Sequence, residues 1–213
     1  MLLNIGGVDD TNEKITRRML FFLESVPVGD ISTFESLVDG ILNRYIADAI
    51  TDHQLALFLL NDIIRYYRTI CVDFEFKTEE DKKPWGIRNI KLVFSRKLIY
   101  FSGLLICAET AQRSALEKRE ICKNLMKLTP IDRLLKVLGS EALEPLGYYD
   151  RFLGSMANHQ IREALEKGDR EVVRKSDIFR SLKNDGHHFS MSLRSAFNRH
   201  YDSSHPIHRA IMF

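Results

Sequence analysis

The sequence predicts an all-α fold, a compact multi-helix bundle built around a long central pair of antiparallel helices. Apolar residues recur at steps of three and four through every long segment, and none alternates as a half-buried strand does. Helix-capping signals stand ahead of the periodic stretches. With Gly 11 and Pro 5 among 213 residues, breakers are few, and no fixed-period repeat is visible.

Thr11 or Asn12 caps a first helix to about Glu24, with Ile15, Met19, Phe22 and Leu23 on one face, before "SVPVGD" breaks it. Ser32 and Glu35 have the spacing of a capping box, followed by Phe34, Leu37, Val38, Ile41 and Leu42 at helical spacing. Thr51 and Gln54 repeat that box ahead of "LALFLLNDIIRYYRTICVDFEFK", the longest helical reading. "TEEDKK" is a charged turn. Pro84 suits the first position of the next helix, where its missing amide would be unpaired anyway. That helix runs from Trp85 to about Gln112 with Ile90, Val93, Phe94, Leu98, Phe101 and Leu105 inward, and "RSALEKREICKNLMKL" stays helical. Thr129 and Pro130 open a short helix that Gly139 and Ser140 end. A further helix covers about Leu146 to Lys167 and stops at Gly168. Ser176 caps a short one, and "GHH" at 186 to 188 separates it from a last helix, about Phe189 to Tyr201.

Hydrophobic residues at 45% and charged residues at 28% describe an ordinary globular chain. It is expected to form one helical domain over 1–213, with a central bundle, 1–128, and a C-terminal helical part, 129–213, as the alternative division. The formal charge of +2, from 31 Lys and Arg against 29 Asp and Glu, announces no nucleic-acid or membrane-surface partner, so a basic patch must be local. "MLLNIGGVDD" lacks the basic and apolar regions of a signal peptide, and "LALFLL" is far short of the roughly 20 residues that span a bilayer. A cytoplasmic protein without membrane partners is expected. Cys71, Cys107 and Cys122 are odd in number, widely spaced and set in apolar helical patterns, so neither a disulfide nor a zinc site is expected.

The long helix carries Asp62, Arg65, Thr69 and Asp73 in a polar line beside its apolar side, and the next helix carries Arg88, Lys91, Ser95 and Arg96 in a comparable one. A short connection makes the two antiparallel, which would bring complementary charges together. Three readings are open: two solvated faces, an inter-helix ion-pair network involving Asp62, Thr69, Asp73 and Ser95, or a groove in which Arg65, Arg68, Arg88, Lys91 and Arg96 bind phosphate or another anion.

The stretches "RRMLFFLESVPV", "LNDIIRYYRTICVDFEFK", "WGIRNIKLVFSRKLIYFSGL" and "HRAIMF" resemble the helical region that follows the catalytic domain in bacterial nucleotidyltransferase-like proteins, relatives of the polymerase-β superfamily. That superfamily's catalytic domain resembles a small α/β fold in which a Gly-Ser motif precedes paired acidic residues holding magnesium. Here Gly139-Ser140 is followed by "EALEPLGYYDRF", without an Asp-x-Asp pair, and Asp9 and Asp10 are adjacent rather than alternating. The resemblance therefore implies a helical module with no cofactor of its own. Its expected partners are a nucleotidyltransferase catalytic domain, in cis or in trans, and a nucleotide or other phosphate-bearing ligand.

Arg199 and His205 supply an alternative. They have the arginine-to-histidine spacing of HEPN ribonucleases, which resemble helical bundles that dimerise to cut RNA without metal. Histidine would act as general acid or base, and arginine would stabilise the phosphorane-like charge. Arg194 and His200 share that spacing. His200, His205 and His208 lie close in sequence but lack a completing carboxylate or cysteine, so no metal site is expected. The sequence thus favours a non-catalytic substrate-binding or scaffolding domain, with the ribonuclease, a homodimer, as runner-up.

Overall fold

Thr11 begins the fold as expected, its hydroxyl accepting from the Lys14 amide at the start of α1 (Asn12–Glu24). The next cap moves. Asp30, not Ser32, accepts from the amides of Ser32 and Thr33 and starts α2 (Ile31–Tyr45), because its carboxylate reaches both orphan donors at once and takes both hydroxyls as well. This is a computed structural model that describes residues 5–48, 54–79 and 84–212. Thr51 of the second predicted box and most of "TEEDKK" lie outside the described residues.

The long helix α3 spans Leu57–Glu79. Pro84 stands one position earlier than expected, as the cap of α4 (Trp85–Lys91). The single predicted helix that follows is wound in three parts: α4, a π-helical turn at Leu92–Arg96, and α5 (Lys97–Ala108). Gln112, at φ 56°, then turns the chain in the left-handed region, and Ser114 with Glu117 forms a true capping box on α6 (Ala115–Met126). α7 (Pro130–Leu138) ends at Gly139, whose φ of 56° is the left-handed conformation glycine takes most cheaply after a helix. A 3₁₀ turn (Gly139–Ala142) leads into α8 (Leu143–Ala157), and Asn158 recaps the chain for α9 (His159–Glu166). After α10 (Arg170–Lys175), Ser176 caps α11 (Asp177–His200), which runs unbroken through "GHH"; α12 (Pro206–Ala210) follows. The all-α expectation holds, with no strand among the described residues. No helix among them is long and apolar enough to cross a membrane.

The chain forms two compact units that interleave along the sequence. Unit 1 takes Met1–Thr69, Ile99–Val137 and Tyr201–Phe213, and unit 2 takes Ile70–Leu98 and Leu138–His200. Neither the single domain nor the division near 128 describes this arrangement.

In unit 1, Ile15, Met19, Phe22 and Leu23 of α1 are buried with Ile41 and Leu42 of α2 and Leu60 and Ile63 of α3. The α3 and α5 residues of this unit run antiparallel: Ile63 faces Gly103, where a Cβ would lie 3.1 Å from Ile63 Cγ2, and Tyr67 stacks on Tyr100 with ring centres 4.4 Å apart. Arg133 is almost wholly buried. Its guanidinium donates to the carbonyls of Leu23, Leu125 and Met126 and to the Ser102 hydroxyl, closing the C-terminal ends of α1 and α6 together. Burial pushes it down to about 10, so it stays protonated at neutral pH. Cys107 and Cys122 are buried thiols, the latter pushed up to about 12 by burial.

Unit 2 is centred on Phe94 of the π-helical turn, which stacks on Phe152 of α8 and Phe189 of α11 with ring centres 4.6 and 5.3 Å away. Close helix approaches surround it. A Cβ on Gly186 would lie 2.4 Å from Val93 Cγ1, and one on Gly86 would lie 2.6 Å from the Leu165 carbonyl oxygen.

Candidate functional site

Arg18 projects from the buried face of α1 with only 1% of its side chain exposed. An unpaired guanidinium there would be prohibitive, and four of its N–H groups are taken. Nη1 and Nη2 each donate to one oxygen of Asp10 at 2.7 Å, Nη2 also donates to Asp62 Oδ2 at 3.0 Å, and Nε donates to the Tyr45 hydroxyl at 2.9 Å. Tyr45 donates its own hydroxyl to Asp62 Oδ2 at 2.5 Å. α1, the residues just ahead of it, α2 and α3 are tied in this way.

The electrostatics follow from the geometry. Burial alone would raise the Asp10 carboxyl, but the Arg18 hydrogen bonds, the Gly6 amide and the Arg18 charge outweigh it and hold Asp10 below its ordinary value. For Arg18, too, burial opposes the charge, and the bonds to Asp10, Tyr45 and Asp62 prevail and raise it. Tyr45 is raised by burial and by the Asp62 carboxylate it donates to.

Above this network lies an open cavity of about 410 Å³ in unit 1, within the usual range for a small-molecule site. Asp10 and Asp62 form part of its lining, with Arg65 and Arg68 of α3 beside them. Arg65 is half exposed; it donates to Asn12 Oδ1 at 3.0 Å and stands 3.8 Å from Asp62 Oδ1. Arg68 is exposed and makes no hydrogen bond or ion pair among the described residues. Arg18, Arg65 and Arg68 against Asp10 and Asp62 leave one positive charge, and the arginines able to meet a ligand are the exposed pair, Arg65 and Arg68, since Arg18 is buried.

Of the predicted anion-binding set, the structure brings Arg65 and Arg68 into this cavity. Arg88, Lys91 and Arg96 belong to unit 2, where the Arg88 guanidinium lies 5.3 Å from the centre of the Phe74 ring and Lys91 is exposed. Among the polar-network residues, Asp62 takes its partners from α1 and α2 rather than from the second stripe. Ser95 instead shares a 3.3 Å hydrogen bond with the Tyr149 hydroxyl, while Thr69 and Asp73 are half-buried. Asp62 itself is turned toward α1 and α2, where Arg18 and Tyr45 reach it.

Arg199 is held on the α11 surface by Glu141 and Glu144 and by the Ser195 hydroxyl. His205 caps α12 through Nδ1, which accepts the Ile207 amide at 3.2 Å, and its ring packs against Tyr201. His208 Nε2 sits 3.1 Å from the Tyr201 carbonyl. Among the described residues no group of three His, Cys, Asp or Glu side chains is arranged to hold a metal ion.

Sequence reasoning missed Arg18, Asp10 and Tyr45. The one available signal was a cation at the third position after Ile15 on the apolar face of α1. Comparison with protein-family models, curated proteins and solved structures finds no match.

Proposed function

We propose that this chain is a non-catalytic binding module whose unit 1 cavity takes an anionic, phosphate-bearing ligand on Arg65 and Arg68. One observation carries the reading: two exposed arginines line a ligand-sized cavity, one lacking any ion pair among the described residues, beside carboxylates already engaged by Arg18. A guanidinium fork matches phosphate oxygens bidentately and is less strongly hydrated than an ammonium, so it meets an anion at low desolvation cost. Arg18 also limits repulsion from the cavity floor, because it neutralises one carboxylate charge and shares its hydrogen bonds with both. In the terms of the nucleotidyltransferase resemblance, such a module would present or retain the phosphate-bearing partner of a catalytic domain supplied in cis or in trans.

Calorimetric titration with inorganic phosphate and pyrophosphate tests the reading. Saturable binding is expected that weakens at least tenfold in the Arg65→Gln/Arg68→Gln double variant and with added salt. The exposed Arg180→Gln variant, on α11, should leave it unchanged. Absence of binding to the parent protein, or equal loss in the Arg180 variant, would sink it.

A further inference from the structure

The same stripe of α3 that carries the arginines begins with an aromatic ring. Phe58, Asn61, Asp62, Arg65 and Arg68 recur at steps of three and four, so they share one face of the helix, and all line the cavity. Phe58 is 67% exposed although it is a large apolar side chain beside a cavity, and Met212 on the same lining is 74% exposed. Seven residues separate Phe58 from Arg65, a rise of about 10 Å, and the arginine side chain leans back toward the helix N-terminus and shortens the gap. Ile64 and Ile211 extend the apolar side. Meanwhile Asp62 Oδ1 has the Arg65 guanidinium at 3.8 Å and no hydrogen bond among the described residues.

We infer that the ligand is an amphipathic anion: a phosphate or carboxylate seated on Arg65 and Arg68, with an aromatic body lying against Phe58. This rests on the anion reading above and adds the ligand's class. Phe58 is then the specificity-determining residue. It contributes little to the fold, since two thirds of it faces solvent, and it supplies the flat apolar surface on which a ring gains affinity that a bare anion cannot. Asp62 Oδ1 is positioned to accept from a ligand hydroxyl or amine lying between the two ends.

The test compares phenyl phosphate with inorganic phosphate by calorimetry on the full chain and on Phe58→Ser. Phenyl phosphate is expected to bind about tenfold tighter than inorganic phosphate, an effect of the size stacking on one exposed aromatic gives. In Phe58→Ser that advantage should vanish while inorganic phosphate affinity and the melting temperature stay where they were. Equal affinity for the two anions, or a phenyl advantage that survives in Phe58→Ser, overturns the amphipathic ligand and leaves the anion site standing. Failure of both anions to bind the parent chain removes the site itself.

Discussion

Arg18 shows how one residue decides what its neighbours can be. Replacing it with Met would leave Asp10 and Asp62 buried together without their shared cation, and an orphaned buried charge of this kind costs about 3–5 kcal/mol. Urea unfolding of Arg18→Met should show that loss. Acid adds a second handle. Asp10 is held below its ordinary value of 3.8 in the folded chain, so its contribution is complete above that value and disappears as pH falls through the folded pKa. Arg18, raised by the same bonds, loses its contribution only at extreme alkaline pH and does not shape the acid limb. Asp10→Asn should therefore be less stable than the parent at neutral pH, with the gap narrowing below about pH 4, as read from unfolding midpoints at stepped pH. A constant gap down to pH 2 would assign the loss to packing instead of charge. The sequence displayed Asp62 as one member of a polar stripe open to three readings, among them an ion-pair network with the next helix. Its partners lie 44 and 17 positions away, and nothing in local periodicity points to them.

At the scale of elements, most helices were legible and several joints were not. Periodicity found α1, α2, α3 and α7 because each has an apolar face and a recognisable start or stop. It divided α11 in two, because glycine and two histidines in "GHH" look like a break on propensity. The fold keeps the helix whole for a packing reason: Gly186 lets Val93 approach where any Cβ would collide. Propensity would favour Ala at this position, whereas packing predicts that Gly186→Ala is destabilised by about 1–3 kcal/mol. The double variant Gly186→Ala/Val93→Ala should recover much of that loss, since the colliding methyl is gone. A double-mutant cycle by urea unfolding measures the coupling, and strict additivity would show that the close approach does not set the cost. The π-helical turn at Leu92–Arg96 left no comparable trace, because its apolar spacing stays compatible with an ordinary helix.

For the whole molecule, sequence order suggested one domain or a cut near residue 128, whereas the contacts interleave two units. Helical periodicity reports which face is buried and says nothing of which distant helix covers it. Unit 2 makes the point through Phe94: it belongs to the segment Ile70–Leu98, yet it stacks between Phe152 and Phe189 from the segment Leu138–His200. A fragment spanning Thr129–Phe213 keeps α8 to α11 and loses Phe94, Ile87 and Ile90, three buried side chains at the middle of that unit. It also loses the Gly86 backbone packed on Leu165. Each large apolar side chain removed from a core costs about 2–5 kcal/mol, and three together match the entire stability of an ordinary domain. The fragment should therefore keep some helical circular dichroism from its strong caps while showing no cooperative urea transition. A sharp transition would mean that α8 to α11 form a core without Phe94, and the aromatic stack would then be an addition to unit 2 rather than its centre.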